Sequence, residues 1–139
     1  MLERIMYIEK CMRRYLNAAF GTCGLPFSEG IVLMAVENNR SFNQDNISAL
    51  LGIDKFRIAK ILSILENKGL IARETNAENK REKLMKLTPK GDKIFQKVSQ
   101  AATGWQNICL DGFSNTESEE MEQMLDRFIF NLVKYEKTV

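Results

Sequence analysis

The sequence has 139 residues, 45% of them hydrophobic and 27% charged, with a formal net charge of +2. That length is close to the common size of one domain, and that apolar fraction can build a core without metals or cystines. Histidine is absent, which removes the usual zinc sites, the Ser-His and Cys-His dyads and the commonest general base.

No GxGxxG or GxxxxGKS/T phosphate loop appears either. The sequence therefore favours binding over catalysis, and neither an enzyme nor a cofactor is expected. The cysteines, Cys11, Cys23 and Cys109, are odd in number, widely spaced and without a CxxC pair. They read as reduced thiols rather than a disulfide framework. The first ten residues mix charge into their apolar side chains, unlike a signal peptide. The longest uncharged stretches, Tyr15–Ser28 and Val98–Leu110, are too short to cross a bilayer. A cytoplasmic chain with no membrane partner is expected.

In chain order, Leu2, Ile5, Ile8, Met12, Tyr15 and Ala19 recur at helical steps over residues 2–20, with Met6, Cys11, Leu16 and Phe20 as a second stripe. A helix apolar on two sides buries one on its own domain and leaves the other for a partner. Two glycines and a proline in Gly21–Pro26 break it. Ser28 is the expected cap of a second helix through Ile31, Leu33, Met34 and Val36 to about Asn38. Asn43 caps a short helix, Gln44–Leu51, which Gly52 ends. Asp54 then caps a helix to Lys68 that stops at Gly69.

Leu70–Glu74 and Glu82–Leu87 read as short strands around the charged tip Thr75–Arg81. Thr88-Pro89 opens a helix carrying Ile94, Phe95, Val98 and Ala102, continuing past Gly104 to Trp105 and Ile108. Ser114-Asn-Thr-Glu117 is a capping box before a last helix with Met121, Met124, Leu125, Phe128, Ile129, Leu132 and Val133 on a wide apolar face. The expected fold is mainly α with a small hairpin: six helices in one domain, a short helix and a longer one forming a helix-turn-helix, and the hairpin making it winged.

From Arg40 to Lys93 there are 12 Lys/Arg against 7 Asp/Glu, a net of +5, whereas the remainder carries 8 against 11, a net of −3. A basic middle between acidic ends suits a polyanion. The second helix of a helix-turn-helix lies in the major groove with its N-terminal residues at base edges. On a helical wheel Ile58, Ile61, Leu62 and Leu65 cluster on the core side, within about 60°. Phe56, Lys60, Ser63 and Asn67 point away, Arg57 lies on the flank, and Lys55 sits in the first turn. Arg and Lys can donate to guanine, and an exposed Phe can touch a thymine methyl. The DNA-contact candidates are therefore Lys55, Phe56, Arg57, Lys60 and Ser63 on the helix. Lys80 and Arg81 join them at the hairpin tip, where loop cations suit the minor groove and its phosphates. Taken singly, each of these charges also fits an ordinary solvated surface.

The stretch Asn43–Gly91 resembles the MarR family of bacterial winged-helix regulators. The most specific parts are Leu65-Glu-Asn-Lys-Gly-Leu-Ile-Ala-Arg73 and the wing's closing Leu87-Thr-Pro-Lys-Gly91. The number and order of the flanking helices extend the likeness to essentially the whole chain. The resemblance implies a homodimeric transcriptional regulator, in the repressor sense, of a near-palindromic DNA operator. It implies a DNA-binding lobe at 27–96 and dimerisation helices at 1–22 and 97–139. In the family an acidic residue at the wing tip holds the wing arginine. Here that place falls on Asn79, followed by Lys80 and Arg81. Family members also respond to small aromatic acids, for which Arg14, Tyr15 and Phe20 are candidate ligand residues, or to oxidation of a cysteine near the N-terminus, for which Cys11 is the candidate. Core packing explains the aromatics and the cysteine equally well. A winged-helix protein-protein module and a thiol-based regulator acting through Cys11 stand as alternatives.

Overall fold

A computed structural model describes residues 1–38, 48, 51–81 and 83–138. Among these, five helices and one hairpin follow in order: α1 (Leu2–Gly21), α2 (Phe27–Asn38), α3 (Lys55–Asn67), β1 (Ile71–Thr75), β2 (Lys83–Leu87), α4 (Pro89–Cys109) and α5 (Asn115–Glu136). The short helix expected at 44–51 lies outside the described residues except for Ser48 and Leu51, both of which are helical. The strands pair antiparallel, from Ile71 opposite Leu87 to Thr75 opposite Lys83. Helix α2 begins a residue before the expected cap. The Gly30 N–H donates to Pro26 C=O at 3.1 Å, so the helical ladder starts from Pro26 and Ser28 lies inside the first turn.

The chain divides into two compact units, Met1–Trp105 and Gln106–Val139. In the first, Leu16 and Phe20 of α1 pack with Val32, Leu33 and Val36 of α2, Ile58, Leu62 and Leu65 of α3, Ile71 and Met85 of the hairpin and Val98 of α4. Gly30 admits the Phe20 ring: a Cβ there would fall 2.3 Å from it. Tyr15 packs on Trp105, ring centroids 5.7 Å apart. Gly104 does not break α4, and a side chain there would meet the Tyr15 hydroxyl at 2.7 Å.

Helix α3, the hairpin and α4 meet at one junction. Gly69, in the left-handed conformation at φ 73°, turns the chain out of α3. Leu70 C=O accepts the Thr88 N–H at 3.0 Å, and the Thr88 hydroxyl donates to Gly69 C=O. The same hydroxyl caps α4 by accepting the Gly91 N–H at 3.0 Å. Pro89 occupies the first helical position, where a missing N–H costs nothing. A Cβ on Gly91 would lie 1.9 Å from the Leu70 oxygen, so only glycine lets α4 start against the strand. The Leu-Thr-Pro-Lys-Gly run is thus a closure motif with a distinct physical task for each member.

In the second unit, Gly112 at φ 80° makes the turn and Ser114 caps α5. Ser114 Oγ accepts the Glu117 N–H at 3.1 Å, and Glu117 Oε1 accepts the Ser114 N–H at 2.9 Å. The hydrogen bond from the Ser114 backbone, aided by the one to its side chain, holds the Glu117 carboxyl below its ordinary value of 4.5. Helix α5 buries no residue, and Met124, Leu125, Phe128, Ile129 and Leu132 are exposed along it.

Two glycine substitutions separate space from conformation. Gly91→Ala should destabilise the chain by about 2 kcal/mol or more, because backbone must move to admit the methyl. Gly69→Ala, which meets nothing within 4 Å, should cost about 1 kcal/mol for its left-handed backbone alone. Urea unfolding measures both, and equal losses would show that the Leu70 contact does not constrain α4.

Candidate nucleic-acid interface

Helix α3 starts on Asp54, whose carboxylate accepts the Arg57 N–H at 3.0 Å and stabilises the first turn. Its buried side is Ile58, Ile61, Leu62 and Leu65, and its exposed stripe is Phe56, Lys60, Ser63 and Asn67. Lys55 and Arg57 are exposed in the first turn. The helical wheel thus places every helix candidate on the solvent face, one of them, Phe56, at 90% exposure.

The wing tip is shaped by two asparagines. Asn76 Oδ1 accepts the Glu78 N–H at 3.0 Å, and Asn79 Oδ1 accepts the Arg81 N–H at 3.2 Å. Side-chain bonds two residues along the backbone are the ordinary work of turn asparagines. Asn79 therefore holds the backbone of Arg81, and the guanidinium is left to solvent. Lys80 and Arg81 are both exposed.

Ion pairs sort the cations of this basic segment. Lys86 pairs with Glu74 across the hairpin at 2.5 Å, and Arg73 pairs with Glu66 at 3.3 Å, tying the wing to the end of α3. Lys68, the C-cap of α3, reaches Glu29 of α2 at 2.6 Å. The Glu29 side chain is only 9% exposed and Lys68 39%, so this pair is partly shielded from water. Among the described residues, Arg57, Lys60, Lys80 and Arg81 enter no ion pair. One set of cations therefore joins elements within the lobe, and the other presents charge outward from helix and wing. Glu29 and Lys68 were not candidates from sequence. The available signal was a carboxylate, Glu29, directly before the apolar run Gly30–Val36.

The remaining candidates are not brought together. Arg14 lines an open concavity with Glu9, Lys10, Arg13, Asn17 and Phe27. Tyr15 is half-buried against Trp105, and Phe20 is sealed in the core beside Phe27, ring centroids 6.2 Å apart. Cys11 and Cys23 are half-buried and Cys109 is exposed, all as free thiols. Among the described residues no His/Cys/Asp/Glu group could hold a metal, and no helix is long and apolar enough to cross a membrane.

Residues 24–82 match the family model described as the MarR family. The chain is 28% identical over 120 residues to the HTH-type transcriptional regulator BilQ of Clostridioides difficile (strain CD3), covering 86% of this chain and 76% of that one. Its fold is similar to that of a MarR family transcriptional regulator from Listeria monocytogenes complexed with 26mer DNA, with a TM-score of 0.88 at 24% identity over 96% of this chain and 89% of the other. The transcriptional regulator SlyA is similar at a TM-score of 0.84 and 25% identity, over 96% and 94% of the two chains.

The Glu29–Lys68 pair makes a prediction about how α3 is held. Removing one partner strands the other, so Glu29→Ala should cost about 1–3 kcal/mol, discounted for the half-exposed lysine. The double variant Glu29→Met with Lys68→Met should recover part of that loss. Chemical denaturation checks both, and a double variant no better than the single would mean the pair is not what joins α2 to α3.

Proposed function

We propose that the chain is a transcriptional regulator of the MarR family, whose model its residues 24–82 match, and that it binds duplex DNA as a homodimer. The observation that carries the DNA reading is the outward set of cations, Arg57 and Lys60 on α3 with Lys80 and Arg81 on the wing, exposed and outside the ion pairs among the described residues. A helix N-terminus adds its partial positive charge, which favours phosphate nearby. Helix α3 would enter the major groove and the wing tip would meet the backbone beside it. The Listeria monocytogenes relative complexed with 26mer DNA supports the same assignment.

The homodimer rests on apolar surface. The first nine residues of α1 are all exposed, Leu2, Ile5, Met6, Tyr7 and Ile8 among them, and α5 exposes Met121, Met124, Leu125, Phe128, Ile129 and Leu132. Water-facing stripes of this extent mark an interaction surface. A second copy with two-fold symmetry supplies the same stripes in return, and two recognition helices would then read half-sites about one helical turn apart.

Two measurements test this function. On a duplex selected from a random pool, Arg57→Ala should lose about 1–3 kcal/mol and relax base preference. Arg81→Ala should instead weaken all duplexes alike and lower the salt slope by about one. Wild-type protein that binds no duplex in a salt-dependent way overturns the reading. For the dimer, sedimentation equilibrium should give twice the chain mass, and Leu125→Glu with Phe128→Glu should halve it. A monomeric wild type at micromolar concentration would remove the second copy from the proposal.

A further inference from the structure

Among the described residues of the helix–wing lobe, Phe56 stands apart from the other core-type side chains. Its ring is 90% exposed at the second position of α3, while Ile58, Ile61, Leu62 and Leu65 bury the opposite side of the same helix. It contributes nothing to the lobe's own packing. The Asp54 cap fixes the backbone turn it projects from, and a phenylalanine has only two side-chain torsions to order on binding. Its neighbours, Lys55 and Arg57, are exposed cations, and Lys60 lies one turn further along the same face. A protein partner would have to accept an apolar ring ringed by positive charge, whereas a DNA groove supplies phosphates for the cations and one apolar group for the ring. That group is the 5-methyl of thymine, the only methyl on a major-groove base edge.

We propose that Phe56 is a specificity-determining residue that selects thymine through its 5-methyl group. This rests on the DNA-binding reading above and adds what the helix reads. Because the ring senses a methyl and no hydrogen-bonding group, 5-methylcytosine at the same place should be accepted in preference to cytosine.

The test uses the full chain and a duplex selected by wild-type protein from a random-sequence pool, with each thymine replaced in turn by deoxyuridine. Replacement of a single contacted thymine should weaken wild-type binding about fourfold, the value of burying one methyl-sized group, and replacement in both half-sites about sixteenfold. Phe56→Ala should bind the thymine duplex more weakly and be indifferent to that replacement. At the same place, 5-methylcytosine should bind wild type better than cytosine, and this gain should vanish in Phe56→Ala. A ring so exposed can be truncated without touching the core, so folding does not confound the variant. If wild type binds the duplex but no thymine-to-uracil change matters, or each matters equally to both proteins, the Phe56 assignment is overturned while DNA binding stands. If wild type selects no duplex at all, both fall.

Discussion

The carbonyl oxygen of Leu70 is the point on which the rest of the lobe depends. It accepts the Thr88 N–H, and Gly91 approaches it more closely than any side chain would permit. Within these few residues α3 ends, β1 begins, β2 ends and α4 begins. Each hydrogen bond there settles a terminus that would otherwise leave a backbone group unsatisfied. Because the same atoms serve all four ends, the wing cannot swing relative to α3 without breaking a cap. Two further pairs, Lys68–Glu29 and Arg73–Glu66, restrain the same joint from either side.

That rigidity gives the charge distribution its meaning. A cation on a floating loop adds only general attraction to a polyanion. Cations at fixed separation can match phosphates at fixed separation, so part of the ordering cost is met in folding. Glu29 and Glu66 pair with cations at the joint, whereas Arg57, Lys60, Lys80 and Arg81 enter no ion pair among the described residues. Asn79 follows the same logic. It shapes the tip through the Arg81 backbone and adds no negative charge where phosphate is proposed to lie.

The two units use apolar residues differently. In Met1–Trp105 they converge: Phe20, Leu33, Ile58, Leu62 and Leu65 are fully enclosed. In Gln106–Val139 a well-capped helix keeps its stripe in water. Helices gain most of their stability from packing an amphipathic face, and this 22-residue helix has an apolar stripe but no buried residue of its own. The homodimer proposed above would cover that stripe.

Much of this was legible in the sequence because it is local. Helical steps of three and four, Asp54 and Ser114 as caps, Gly69 as a stop and Thr88-Pro89 as a start all act within a turn or two. The structure shows each of them in the expected place. The wheel of α3 separated Phe56 and Lys60 from Ile58 and Leu62 for the same reason: one helix's geometry suffices. Long-range pairing was decided only by the tertiary structure. No periodicity joins Glu29 to Lys68, 39 residues away, or shows that Gly91 must be bare because Leu70 lies against it. Nor could composition tell that Phe20 would be sealed beside Gly30 while Arg14, six residues earlier, faces water. Which residues share a helix face follows from 100° per residue; which helices meet, and at what distance, follows from packing the whole core at once.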